Sequence, residues 1–117
     1  MTKEELIEKY SQYLNAEGIK TPIECENGWL PLIDKMCHEF DFFNHDNSLF
    51  IIRITQKYGA LRVYTNWLTD EIDSIIRAAE TKSLEICEIC GKPGDIIGYN
   101  KPRNSWIVTR CEEHRED

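Results

Sequence analysis

The chain predicts an α+β fold: three helices packed on a β-hairpin, with a C-terminal zinc-ribbon-like knuckle. Three observations carry that prediction. Apolar residues recur at helical spacing in three separate stretches. Two β-prone runs meet across Tyr58-Gly59-Ala60. Two ligand pairs, Cys87-Glu88-Ile89-Cys90 and Cys111-Glu112-Glu113-His114, stand near the C-terminus. With 117 residues, the chain suits an α+β core over residues 1–84 and a knuckle over residues 85–117, packed together as one cooperative domain.

The first helix is expected over residues 3–15. Thr2-x-x-Glu5 forms a capping box, and Leu6, Tyr10, Tyr13 and Leu14 follow at helical spacing, with a stop near Gly18. Thr21 to Gly28 reads as a loop. Pro31 belongs in the first turn of a second helix, where its missing N–H costs nothing. That helix buries Leu30, Ile33, Cys37 and Phe40, flanked by Trp29, Leu32 and Met36, and leaves Asp34, Lys35, His38 and Glu39 off the stripe.

After a break at Asn44 to Asn47, Leu49 to Lys57 and Leu61 to Trp67 form the hairpin, with Ile52 and Ile54 on one face beside Leu61 and Val63. Thr69 caps a third helix, whose first turn carries Asp70, Glu71 and Asp73 at the positive end of the helix dipole. Ile72, Ile75, Ile76 and Ala79 give it one apolar face.

In the knuckle, Cys87, Cys90, Cys111 and His114 supply four soft or borderline ligands, which is what one closed tetrahedral Zn²⁺ site requires. Gly91 suits the turn after Cys90 because it tolerates positive φ. Ile96 to Tyr99 and Trp106 to Thr109 are β-prone around a turn-like Asn100 to Asn104, so a short hairpin returns the second ligand pair to the first. A catalytic zinc keeps an open position, and four ligands leave none. The deaminase signature is absent, and no Asp-His pair follows Cys90 as the HNH-type nucleases require. The expected role of the metal is therefore structural, and the expected protein is not an enzyme.

The formal net charge is −7, which disfavours general nucleic-acid binding. Residues 91–110 run the other way, setting Lys92, Lys101, Arg103 and Arg110 against Asp95. The N-terminus is charged with no apolar run behind it, and no stretch approaches the roughly 20 apolar residues of a membrane span. Cys25 and Cys37, unassigned to the metal, fit a reducing cytoplasm.

Other candidate sites carry simpler alternatives. His45-Asp46 offers an acid/base pair, or a solvated turn. Cys37 and His38 are helical neighbours about 100° apart, which rules out a nucleophile–base pair and leaves a core thiol beside an exposed imidazole. Cys25 is either an extra ligand or a small buried residue. Arg53, Lys57, Arg62 and Tyr64 on the first hairpin offer an anion- or partner-binding face, or a solvated face with charge pairs. Lys101, Arg103 and Trp106 are the nucleic-acid candidates of the second hairpin.

Four blocks appear in order: Gly28-Trp29-x-Pro31-Leu32-Ile33-Asp34; Ile54-x-Gln56-Lys57-Tyr58-Gly59-x-Leu61-Arg62-x-Tyr64; Cys87-Glu88-x-Cys90-Gly91-x-Pro93-Gly94; and Trp106-Ile107-x-Thr109-x-Cys111-x-x-His114. Over residues 27–114 the chain resembles small zinc-knuckle proteins of bacteriophages and prophages. The resemblance implies action in a bacterial host cytoplasm and carries no assigned reaction. It implies a binder and inhibitor of a bacterial host protein, with sequestration of an anionic nucleotide signal as the alternative; nucleic-acid binding through Lys101, Arg103 and Trp106 is a third reading, drawn from those residues.

Overall fold

The computed structural model describes residues 1–98 and 107–115. Among these, four α-helices and two antiparallel hairpins make an α+β fold: α1 Lys3–Lys9, α2 Ser11–Leu14, α3 Leu30–Phe40, β1 Ile51–Lys57, β2 Ala60–Thr65, α4 Asp70–Ser83, β3 Asp95–Ile97 and β4 Val108–Arg110. The expected single first helix is two. Thr2 and Glu5 do form the reciprocal capping box, but Tyr10 sits at φ −120°, ψ 46° and breaks the helix. The break keeps the buried side in phase, because Leu6, Tyr13 and Leu14 all reach the core.

α3 starts where Pro31 places it and buries Leu30, Ile33, Met36, Cys37 and Phe40. Tyr13 packs edge-on to Phe40, with ring centroids 5.5 Å apart. Its hydroxyl donates to Asp41 Oδ1 at 2.5 Å, so the buried ring keeps a polar partner. Thr69 Oγ1 accepts from Ile72 N at the start of α4, as its cap position demands. α4 then packs on both α3 and β2.

The first hairpin departs from simple alternation. Ile51 pairs with Thr65 but Arg53 pairs with Tyr64, so a bulge falls at Ile52. The extra residue changes the phase: Ile51 and Ile54 are buried, and Ile52 is 52% exposed. The expected pairing of Ile52 with Ile54 on the inner face is thereby corrected. β1 and β2 are also shorter than expected, beginning at Ile51 and ending at Thr65.

Both outer edges of this two-stranded sheet are covered. On β1, Ile54 N donates to Pro22 O (3.0 Å) and Ile54 O accepts from Glu24 N (2.8 Å). On β2, Leu61 N donates to Ser83 Oγ (2.9 Å) and Val63 N to Glu80 Oε2 (3.2 Å), both on α4. The fully buried Ser83 is thus an edge cap, closing a strand that otherwise invites pairing with another chain. No described helix is long and apolar enough to cross a membrane.

Candidate metal centre

Residues 85–94 form the first half of the knuckle. Cys87 N donates to Lys92 O (2.8 Å) and Gly91 N to Cys87 O (2.9 Å), so the Cys-x-x-Cys segment curls back on itself. Gly91 adopts φ +83° to close that turn. The second half comes from β4, paired to β3 with Asp95 opposite Arg110. A 3₁₀ turn over Glu112–His114 then directs His114 back toward Cys111.

This geometry brings the four sequence-predicted ligands together, with all ligand atoms within 4.8 Å of one another. Cys90 Sγ lies 3.6 Å from Cys111 Sγ. His114 Nδ1 lies 3.7 Å from Cys87 Sγ and 3.2 Å from Cys111 Sγ. A tetrahedron with metal–sulfur bonds of about 2.3 Å and metal–nitrogen bonds of about 2.0 Å has edges of about 3.5–3.8 Å. The donor set fits such a centre, and the 3.6 and 3.7 Å separations match its edges, while the 3.2 Å contact is shorter. The sulfur separation is far beyond the roughly 2.05 Å of a disulfide, and all five cysteines are free thiols.

The thiols of the first ligand pair are shifted in opposite directions. Burial opposes ionisation of Cys87, but hydrogen bonds from the Cys111, Cys90 and Ile89 backbone outweigh it and bring the thiol down to about 6. Cys90 moves the other way. The Lys92 backbone N–H favours its thiolate, yet desolvation and the neighbouring Cys111 and Cys87 thiols together raise it. A divalent cation removes that conflict by taking every sulfur as thiolate.

Hydrogen bonds on both sides of the knuckle fix the centre to the core, and Glu88 makes two of them. Glu88 is 5% exposed. Its Oε1 accepts from Arg110 Nη1 (3.2 Å) and its Oε2 from Glu26 N (3.0 Å). At the same seam, Gly28 N donates to Glu88 O (2.6 Å) and Trp29 Nε1 donates to Ile86 O (2.9 Å). On the other side, Thr109 Oγ1 donates to Gly59 O (2.7 Å) and Gln56 Nε2 to Ile107 O (3.1 Å).

The remaining candidates are dispersed. Arg53 pairs with Glu24 (2.5 Å) and Arg62 with Glu80 (3.6 Å), so the first hairpin's basic face is largely neutralised from within. Tyr64 is exposed, and Lys57 Nζ stands 5.6 Å from the Tyr58 ring centroid. The basic character expected of the second hairpin is also reduced, because Lys92 pairs with Glu113 and Arg110 with Glu88. Lys101, Arg103 and Trp106 lie outside the described residues.

Asp46 accepts from Ser48 N and Oγ in an exposed turn, and these bonds hold its carboxyl below the usual range. Burial pushes both the Cys25 and Cys37 thiols up, Cys25 to about 12 with the Glu88 charge adding to the effect. Cys25 stands outside the four-residue cluster.

No protein-family model, curated protein or solved structure matches this chain.

Proposed function

We propose that this chain is a non-enzymatic binding protein whose knuckle is closed by one structural Zn²⁺, and that it acts by binding and inhibiting a bacterial host protein. The observation that carries the metal assignment is the Cys87, Cys90, Cys111 and His114 cluster, whose ligand atoms all lie within 4.8 Å of one another. Three thiolates and an imidazole suit zinc among common divalent ions, and a full ligand shell supports a structural role. When bound, the metal supplies folding free energy to the end of the chain that has the least apolar core.

The partner assignment rests on the phage resemblance, the net charge of −7 and the exposed aromatic side chains Phe42 and Tyr58, each 65% accessible. It is favoured over the nucleotide reading because Arg53 and Arg62 already hold Glu24 and Glu80, leaving fewer unpaired cations for phosphate. Affinity purification of the metal-loaded chain from bacterial lysate tests it. A stoichiometric host protein whose activity falls on binding is the expected result, and recovery of none refutes the assignment. Thermal-shift titration with cyclic and linear nucleotides tests the rival, since a tight ligand raises the melting temperature by mass action.

A further inference from the structure

The turn between β1 and β2 uses two residues, Tyr58 at φ +54° and Gly59 at φ +82°, closed by the Lys57–Ala60 pair. Two positive φ angles define a type I′ turn, which favours Asn-Gly because its first central position penalises a bulky side chain. Tyr58 therefore holds a strained conformation, and its ring is not repaid inside the protein. It is 65% exposed, with Lys57 Nζ as its cationic neighbour.

The turn is also held in place. Thr109 hydrogen-bonds the Gly59 carbonyl, and a Cβ on Gly59 would meet Val108, Ile107 and Ile96 at 3.3–3.4 Å, so the tip sits directly against the second hairpin. Ile96 is itself 40% exposed beside it. The result is a rigid tip presenting an aromatic ring, an aliphatic flank and a cation. Among the described residues Lys57 makes no ion pair, although Arg53 and Arg62 on the same strand pair do.

We propose that this tip is the docking site for a protein partner, which takes the Tyr58 ring into an apolar pocket and places a carboxylate against Lys57. The proposal rests on the partner-binding reading above and names its surface. Strain kept at an exposed position is expected where the side chain serves recognition, and tyrosine is enriched among residues that dominate binding energy. A protein is favoured over nucleic acid because the chain carries a net charge of −7.

The test compares Tyr58→Asn, Lys57→Glu and the control Ile19→Asn, at a position 73% exposed, in the full, metal-loaded chain. Each is immobilised and exposed to bacterial lysate with and without nuclease. The recovered protein is identified by mass spectrometry and titrated against every variant. Tyr58→Asn relieves the turn, so its melting temperature should match or exceed wild type by about 3 °C. Its affinity should fall at least about tenfold. Lys57→Glu should also weaken binding, and Ile19→Asn should leave it unchanged.

Equal capture by wild type and Tyr58→Asn overturns the docking site while the partner reading stands. A Tyr58→Asn chain of lower melting temperature overturns it too, since Tyr58 would then serve the fold. Capture abolished by nuclease assigns the tip to nucleic acid and overturns a protein partner. If wild type recovers nothing, the partner reading falls and the docking site with it.

Discussion

Replacing Gly28 with alanine should unlatch the knuckle from the core. Gly28 has no positive φ, so alanine suits its backbone torsions. The obstacle is space. A Cβ there would stand 2.2 Å from Cys87 O, 2.4 Å from Glu88 O and 2.5 Å from Glu88 C, all backbone atoms that no rotamer change can move aside. Relief requires the Cys-x-x-Cys turn to shift away, which also breaks the 2.6 Å bond from Gly28 N to Glu88 O.

Overpacking of this kind costs about 1–3 kcal/mol, and the lost hydrogen bond adds about 1 kcal/mol, for a total near 3 kcal/mol. With a urea slope of about 1.5 kcal/mol/M, the unfolding midpoint should fall by about 2 M. Gly18→Ala is the complementary control: Gly18 has φ +78° and nothing within 4 Å, so its cost is torsional only, about 1 kcal/mol. Urea titrations followed by tryptophan fluorescence read both. Because metal affinity and docking are linked, Gly28→Ala should also lose metal to a weaker chelator than wild type does. A Gly28→Ala midpoint within about 0.3 M of wild type would refute the close approach on which the seam depends.

Other expectations test separate parts of the fold. Ile51→Ser should cost about 2–3 kcal/mol and Ile52→Ser under about 0.5 kcal/mol, since Ile51 is buried and Ile52 exposed; reversed values in denaturant melts would contradict the bulge. Glu88→Ala should destabilise by about 2 kcal/mol by stranding Arg110 and the Glu26 N–H in a largely buried seam, whereas a change at the surface pair Lys35–Glu39 should barely register.

For Cys25, the folded thiol is raised from an ordinary 9.0 to about 12. The neutral thiol therefore contributes stability that is complete below about pH 9 and is lost as pH rises toward 12. At pH 8, maleimide labelling read by mass spectrometry should spare Cys25 and Cys37 in the native chain. After chelation it should reach the exposed Cys90 first, and equal labelling of Cys25 and Cys90 would contradict their placement.

What the sequence made legible is what depends on local spacing. The Thr2 and Thr69 caps, Pro31 at the start of α3 and the four ligands with two residues inside each pair are local signals, and each appears where its spacing places it. Features decided by tertiary packing were not legible. Ile51-Ile52-Arg53-Ile54 supports two alternations, and burial under the helices, through a bulge, selects the phase with Ile51 inside. Leu6, Tyr10, Tyr13 and Leu14 keep a helical period across a break that leaves their burial intact. Ser83 and Glu88 resemble ordinary surface residues until the strand edge and the Gly28 seam they serve are assembled. Arg53 and Arg62 read as cations available to a ligand because Glu24 and Glu80 are distant in sequence.

The central claim is one structural zinc held by three sulfurs and one nitrogen. Elemental analysis joined to zinc X-ray absorption on protein purified without chelator tests it directly. The account predicts one equivalent of zinc with three Zn–S distances near about 2.3 Å and one Zn–N near about 2.0 Å. It also predicts loss of that signal in Cys111→Ser. Well under one equivalent, or a shell dominated by oxygen, would contradict it.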